Sequence, residues 1–428
     1  MQLVKTHINI LLPLTIIFAM GMRLMPELTF FYYPTPILLG LFILAGYKKI
    51  LENKPLKILT IMLILFGAWA MITALWSDHP LFSLLRGGYF LLLALGAACG
   101  ITLWSDTKAF RENPFGFLLP ANLLILGTSL ISLIFDWPAD AWTGGNEHGF
   151  MGIFGLQLSL GMALLTTFLA PFYLFLKSIE SIKTKSKKEI THLLFYILIL
   201  VSNILILLLS HSRAALLSLA VGIFLSFFFF FNIRQKIYFA GGIVLIVVII
   251  FTVPSLSTKF EKYTLKGTGH TTANRDILWG PSYEAAKIGG LFGIGYGTST
   301  TEIETQFQIV DDAGRLRREK GNGILALIEE VGLIGLILFF APIIYAFIMF
   351  FKKWQSKSLV LIVNCSLLIA LILHSQFEAW FVGVGGFSLL IFLTIISLNP
   401  FIMSSIRTRE SHSDRTNQTN GSRLKEIH

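Results

Sequence analysis

Charge is scarce in this sequence. Only 14% of its 428 residues are Asp, Glu, Lys or Arg, whereas 54% are hydrophobic, and the mean hydropathy is +0.73. A soluble domain carries roughly 25% charged residues. Strictly alternating segments of about ten residues, the pattern of membrane β-barrels, are also absent. Apolar runs near the ~20 residues that cross a bilayer recur along the whole chain, so the sequence predicts an all-α polytopic membrane protein.

The sequence also lacks a cysteine framework and a nucleotide-binding loop. Its two cysteines, Cys99 and Cys365, fall inside predicted spans and make neither a disulfide framework nor a zinc site. The glycine-rich segment Gly289–Gly297 has no Gly-Lys-Ser/Thr ending and no preceding strand, which argues against ATP binding. It predicts a tight turn in which backbone approaches backbone.

Twelve apolar runs predict about twelve transmembrane helices. They lie near residues 8–22, 30–47, 56–75, 81–102, 115–135, 150–175, 190–208, 212–231, 237–253, 324–351, 358–374 and 377–398. The first run is interpreted as an uncleaved span rather than a signal peptide. The predicted organisation is nine helices in residues 1–253, a large loop in 254–323, three helices in 324–398 and a polar, disordered tail in 399–428.

Basic residues predict the orientation. Lysines and arginines cluster after the second, fourth, sixth, eighth and tenth spans, so this side is predicted to be cytoplasmic. Both termini then lie inside and the long loop lies outside. The net charge of +10 is explained by this asymmetry and by anionic lipids, and requires no nucleic-acid partner.

Ionisable residues are nearly absent from the centres of the predicted spans, where transporters and proton pumps place them. Here they gather at the outer ends of the spans, at Arg23, Glu27, Asp78, His79, Arg86, Asp136, Asp140, Glu147, His148, His211, Arg213, His374 and Glu378. The pattern predicts a polar site at the outer membrane–water boundary, for a substrate with an apolar part and an anionic head. A transporter or flippase for lipid-linked sugar is the alternative from another class.

Three arginines are candidates for holding an anionic head, because a guanidinium stays charged and grips phosphate oxygens with two parallel hydrogen bonds. Arg213 is flanked by apolar sequence, where burial without a partner is costly. Arg86 precedes two glycines that permit close helix approach, with snorkelling to the interface as the alternative. Arg275 opens a predicted surface helix in the long loop, with a solvated arginine as the alternative.

The end of the long loop carries a second helix signal. Asn322 is placed to cap the tenth span, and Gly332 and Gly335 permit close packing within it. Glu329 and Glu330 are unusual so near the start of an apolar helix. One of them is expected to hold an arginine in place.

Four sequence pieces together resemble the O-antigen ligase and O-antigen polymerase superfamily. They are Ser212-Arg213-Ala214, Asn274-Arg275 with Trp279, Gly293-Ile294-Gly295-Tyr296-Gly297, and the stretch from Asn322 to Glu330-Val331-Gly332-Leu333-Ile334-Gly335. The segment Trp76–Ser83 before the fourth span is similar to the family as well. The likeness covers most of the chain in topology and is specific from about residue 205 to 340.

The resemblance implies a GT-C-like membrane glycosyltransferase fold in the bacterial inner membrane, with the large loop in the periplasm. It implies an inverting transfer of a glycan from an undecaprenyl-diphosphate carrier, without metal, nucleotide or other cofactor. The acceptor is lipid A–core for ligases and a second lipid-linked glycan for polymerases. The family arginines that clamp the diphosphate correspond to Arg213 and Arg275 here, with Arg86 as a third candidate.

One position departs from the family pattern. Family ligases have a histidine, tied to catalysis, directly before the asparagine of the last motif, and here that position is Gly321. The departure favours a polymerase or a divergent ligase, so both activities stay open. His270 and Glu330 are the predicted catalytic bases, and His211 and His374 are further substitutes for the missing histidine.

Overall fold

The computed structural model describes residues 2–21, 30, 33–135, 137, 141, 149–181, 187–252, 254–255, 258, 275–300, 303, 308–310, 316–318, 320–353, 355, 358–384 and 386–403. These residues form α1 Gln2–Met20, α2 Pro34–Glu52, α3 Lys54–Ile72, α4 Pro80–Ser105, α5 Lys108–Glu112, α6 Leu119–Phe135, α7 Gln157–Thr167, α8 Leu169–Ser181, α9 Lys187–Leu209, α10 Arg213–Phe230, α11 Ile233–Thr252, α12 Arg275–Gly289, α13 Gly323–Lys352, α14 Leu359–His374 and α15 Phe387–Met403. Three short 3-10 turns lie at Thr73–Leu75, Gly116–Leu118 and Trp380–Val382.

The prediction of an all-α polytopic membrane protein is confirmed. In the described part of the chain, nine helical segments are long and apolar enough to cross a membrane, and α14 and α15 are shorter apolar helices. The ninth predicted span coincides with α11, a helix of 20 residues. The sixth span, Gln157–Glu180, contains both α7 and α8. Each of the twelve predicted runs therefore contains a helix.

Small residues and buried amides join the helices. A Cβ on Gly46 of α2 would lie 3.0 Å from the Cys99 carbonyl oxygen of α4, so these two backbones are in close contact. Asn122 of α6 donates from Nδ2 to the Asn203 side chain of α9 at 2.8 Å and to Thr167 Oγ1 at 3.0 Å. These buried polar groups satisfy one another, as apolar surroundings require.

The helix after the long loop, α13, is broken near its start. Gly332 has φ 69° and ψ −177°, which is not helical, and this conformation is essentially restricted to glycine. The sequence predicts one continuous span at residues 324–351. The structure instead has a short first segment and a long second segment, because the backbone of another chain segment packs directly against the break.

The long loop contains a surface helix and one small ladder. The predicted helix after Asn274 is confirmed as α12, which packs against α13. Strands β1 Gln308–Val310 and β2 Leu316–Arg318 pair antiparallel, an addition to the all-α prediction. Asn274, His270 and the tail beyond residue 403 lie outside the described residues. The predicted domain boundaries stay predictions.

Candidate functional site

Most of the motifs singled out in the sequence meet at one end of the helix bundle. We call this the motif end, and define it by Arg86, Glu330 and His374. It is formed by the turn before α4, the glycine-rich loop after α12, the first segment of α13 and the turn after α14.

The glycine-rich loop is bonded to the break in α13. Ile294 and Gly295 donate their backbone N–H groups to the carbonyls of Glu329 and Glu330, each at 3.0 Å. On the other side of the break, Leu333 donates to the Gly290 carbonyl at 3.0 Å. The break at Gly332 leaves backbone N–H and C=O groups of α13 without partners inside the helix. The loop supplies hydrogen-bond partners for them, as a buried backbone requires.

Two tryptophans, one in α3 and one shortly after it, donate hydrogen bonds to backbone carbonyls around the break. Trp69 Nε1 donates to the Val331 carbonyl at 2.8 Å, and Trp76 Nε1 donates to the Gly293 carbonyl at 2.9 Å. A Cβ on Gly293, whose φ is 80°, would lie 2.4 Å from the Glu330 carbonyl oxygen. The prediction that this glycine segment forms a tight turn with backbone against backbone is confirmed.

The two glutamates of α13 form a buried cluster with a lysine. Lys320 Nζ lies 2.6 Å from Glu330 Oε1 and 3.3 Å from Glu329 Oε2. Glu329 is fully buried, Glu330 is 2% exposed, and the Lys320 side chain is 8% exposed. Within the described residues, the cation that contacts both glutamates is therefore a lysine, and the expected arginine partner stays a prediction. No sequence motif marks Lys320 for this role, because its approach to α13 depends on the course of the loop.

The second oxygens of the two carboxylates accept backbone hydrogen bonds. Gly297 N donates to Glu330 Oε2 at 2.6 Å, and Thr300 N donates to Glu329 Oε1 at 2.9 Å. Lys320 Nζ also donates to the Thr298 carbonyl at 2.7 Å. All four oxygens of the pair are engaged. Glu330 thus lies in the cluster with both oxygens occupied, and its predicted role as a base stays a prediction.

Arg86 connects three elements of the motif end. Its Nη2 donates to the Val382 carbonyl at 2.5 Å, and its guanidinium lies 5.3 Å from the Phe82 ring centroid and 6.0 Å from that of Tyr296. A Cβ on Gly297, whose φ is 84°, would lie 2.2 Å from Arg86 Cδ. The Arg86 side chain therefore packs directly against Gly297, where the Cβ of any other residue would clash with it. Its Nε has no hydrogen-bond partner among the described residues.

Tyr296 lies beneath this arginine and is fully buried. Its N–H donates to Thr73 Oγ1 at 3.0 Å, and its hydroxyl has no partner within the described part of the chain. Burial raises the pKa of Tyr296, the Arg86 guanidinium acts in the opposite direction, and the Glu330 carboxylate raises the pKa further. The phenol therefore stays neutral at physiological pH.

The turn after α14 packs against the start of α13. Asn322 Oδ1 accepts from Ile324 N at 2.9 Å and from Leu325 N at 3.0 Å, so its predicted role as a helix cap is confirmed. Its Nδ2 donates to the Gln376 carbonyl at 3.2 Å. His374 is buried beside this turn, with Nε2 3.7 Å from Glu378 Oε1.

Gly321, where the resemblance leads to the expectation of a histidine, lies against α12. A Cβ there would be 2.7 Å from Leu278 Cβ, and the Gly321 carbonyl accepts from Trp279 Nε1 at 3.2 Å. A histidine at this position would require α12 to shift. The absence of the histidine therefore fits the local packing.

Arg213 is the first residue of α10 and follows a sharp turn. His211 has φ 52°, an uncommon conformation for a residue other than glycine, and its carbonyl accepts from Arg213 N at 3.0 Å. Gly222 of α10 packs against Ala370 of α14. Phe228 and Phe231, at the end of α10, line the same pocket as Ser358 and Leu361, at the start of α14, so the two helices are antiparallel. Arg213 and His374 therefore lie at the same end of the helix pair.

Two predicted site residues lie partly or wholly outside the described residues. Arg275 is the first residue of α12, and its side chain lies outside the described residues, as does all of His270. Within the part of the chain that is described, no group of three or more His, Cys, Asp or Glu residues is placed to hold a metal ion. Thr298 and Thr300 also belong to the cluster, through their backbone groups, and no sequence motif marks either residue.

The helical fold and this site define a multi-pass membrane protein with a charged, buried cluster at one end of its bundle. A family model described as O-antigen ligase matches residues 197–340 of this chain. The match confirms the resemblance to the O-antigen ligase and polymerase superfamily and contains all four sequence pieces on which it rested. No curated protein matches the sequence.

Proposed function

We propose that this protein transfers a glycan from an undecaprenyl-diphosphate carrier to an acceptor at the periplasmic face of the bacterial inner membrane. The acceptor is lipid A–core or a second lipid-linked glycan. The O-antigen ligase match over residues 197–340 is the observation that carries this proposal. The motif end supports it, because Arg86, which lies outside the matched range, packs on Gly297 inside it.

The proposed reaction is a displacement at the anomeric carbon. The acceptor hydroxyl attacks this carbon, its proton passes to a base, and the carbon–oxygen bond to the diphosphate breaks with inversion. The diphosphate leaves with the bonding electrons. Arg213 and Arg275, with Arg86 as a third, stabilise the negative charge that develops on the leaving group, without a metal.

The base of this reaction is assigned to a histidine. Glu330 is a weaker candidate than the sequence suggested, because Lys320 and Gly297 occupy its two oxygens. His270 remains the candidate from the long loop. His374 is the candidate within the described residues, since Glu378 lies beside it and can orient the imidazole.

Polymerase activity is the alternative within the same superfamily. The packing of Gly321 against Leu278 supports it, because family ligases carry a histidine at this position. Both activities use the same carrier lipid and differ in the acceptor. The acceptor therefore decides between them.

A transporter of lipid-linked sugar is the second candidate function. The broken helix α13 favours it, because transporters often bind substrates at discontinuous helices. Here, however, the glycine-rich loop and Trp69 occupy the carbonyls of residues 329–331. Glycosyl transfer therefore remains the preferred proposal.

The test uses purified protein in vesicles with a lipid-diphosphate glycan, with and without lipid A–core. Core-attached glycan indicates a ligase, and longer lipid-linked chains without core indicate a polymerase. Movement of the glycan lipid across the bilayer without transfer indicates a transporter and refutes the proposal.

Arg213→Ala tests the diphosphate clamp. We expect glycan transfer to be abolished while the amount of protein in the membrane is unchanged. Arg234→Ala is the matched control, since Arg234 is exposed at the start of α11, at the opposite end of α10 from Arg213. Normal transfer by Arg213→Ala would refute the clamp.

A further inference from the structure

Lys320 makes three polar contacts that bring together separate parts of the chain. Its ammonium group reaches Glu330 Oε1 at 2.6 Å, the Thr298 carbonyl at 2.7 Å and Glu329 Oε2 at 3.3 Å. An ammonium group has three N–H donors, and each has an acceptor here. Lys320 is therefore occupied by the protein itself and is not free to bind a substrate.

The two carboxylates hold the same short segment that Lys320 holds. Glu330 accepts from Gly297 N, and Glu329 accepts from Thr300 N. Hydrogen bonds from a backbone N–H to a carboxylate are charge-assisted and stronger than neutral ones. Residues 297–300 are thus fixed at both ends by Glu329 and Glu330, and in the middle by Lys320.

Gly297, the first residue of this segment, is in contact with Arg86. Gly297 donates to Glu330 through its nitrogen, and Arg86 packs where a Cβ of Gly297 would be. Arg86 and Glu330 both act on the pKa of Tyr296, so both charges lie near its hydroxyl. Two carboxylates, one lysine and one arginine balance in charge, which favours burial of all four together.

We propose that Lys320, Glu329 and Glu330 are positioning residues that form a latch. The latch fastens residues 297–300 to the first segment of α13 and thereby sets the place of Arg86 at the motif end. The inference rests on the proposed function for its kinetic consequence, namely that Arg86 then contacts the donor diphosphate. Glu330 acts here through Gly297 and Arg86, and is not the base.

The test compares Lys320→Met, Glu330→Gln and the double variant of full-length protein in vesicles. In each single variant we expect the KM for the lipid-linked donor to rise about 10-fold with kcat changed less than about 3-fold, because coupled neighbours show effects of this order. The double variant should resemble the single variants, because either change opens the same latch. Lys287→Met is the matched control, since it removes an exposed ion pair with Glu284 on the nearby helix α12.

Hydrogen exchange gives a reading that needs no glycan. Faster exchange at the amides of Gly297 and Thr300, with unchanged exchange in α10 and α14, supports the latch even if the proposed function fails. If Lys320→Met does not accumulate in the membrane, Glu330→Gln decides the same question, because it keeps the side-chain shape.

Two results would overturn the latch. One is unchanged exchange at residues 297–300 in both single variants. The other is a loss of kcat by about 10²- to 10⁴-fold in Glu330→Gln alone, with KM unchanged, which is the signature of a lost general base.

Discussion

Replacing Gly332 with alanine should detach the glycine-rich loop from α13. At φ 69° and ψ −177° an alanine is strained by about 1–3 kcal/mol. Its Cβ would lie 2.2 Å from the Leu291 carbonyl oxygen, which is backbone and cannot move alone. Separation of the loop also breaks the hydrogen bonds from Leu333 N and Ile334 N, at 3.0 and 3.3 Å.

The expected loss follows from these contacts. Two hydrogen bonds contribute about 0.5–1.5 kcal/mol each, so with the strain the docked loop loses roughly 4 kcal/mol. A loss of this size lowers the equilibrium constant for docking of the loop by about 10³-fold and is a large part of the ~5–15 kcal/mol that stabilises a protein. We expect Gly332→Ala to lose glycan transfer and protection from hydrogen exchange at residues 289–297.

The measurement compares Gly332→Ala with Gly127→Ala in the same vesicles. Gly127 lies within α6 with open space around its Cβ position, so alanine there should leave both transfer and exchange unchanged. Wild-type transfer together with wild-type exchange at residues 289–297 in Gly332→Ala would refute the idea that the break holds the loop.

Two further variants test the cap and the buried phenol. Asn322→Ala should lower the free energy of unfolding by about 1–2 kcal/mol while Asn322→Asp keeps the cap, and equal melting temperatures for all three proteins would contradict this. Tyr296→Phe should retain transfer within about 2-fold, because its hydroxyl has no partner among the described residues. Because burial raises the pKa of Tyr296 in the folded protein, its contribution to stability is fully present below about pH 10, the pKa of tyrosine in the unfolded chain, and falls as the pH rises above that value. Wild type should therefore lose more stability than Tyr296→Phe in melting experiments at increasing alkaline pH. Equal losses of stability would contradict the burial of a neutral phenol at this position.

Several features could be predicted because they depend on local sequence. The spans follow from apolar run length, and the cap at Asn322 follows from residue type directly before such a run. The turn at Gly289–Gly297 follows from glycine spacing. Arg86 and Glu330 were identified as site candidates because ionisable residues are scarce in this chain.

Other features depend on contacts between distant residues. A glutamate near the start of an apolar helix needs a partner, but sequence alone does not say which cation reaches it. Among the described residues, the cation that reaches both glutamates is Lys320, which lies three residues before the start of α13. The break at Gly332 was not predicted from the sequence either. It depends on close packing against the backbone of Leu291, about forty residues earlier in the chain.

Hydropathy and short motifs are local properties, so the sequence was enough to predict a multi-pass helical membrane protein and to show a resemblance to the O-antigen ligase superfamily. The pairing of the charged residues, by contrast, could be seen only in the three-dimensional fold. Buried charges must find partners through space, and the partners of Glu329 and Glu330 come from a loop whose course local sequence does not specify.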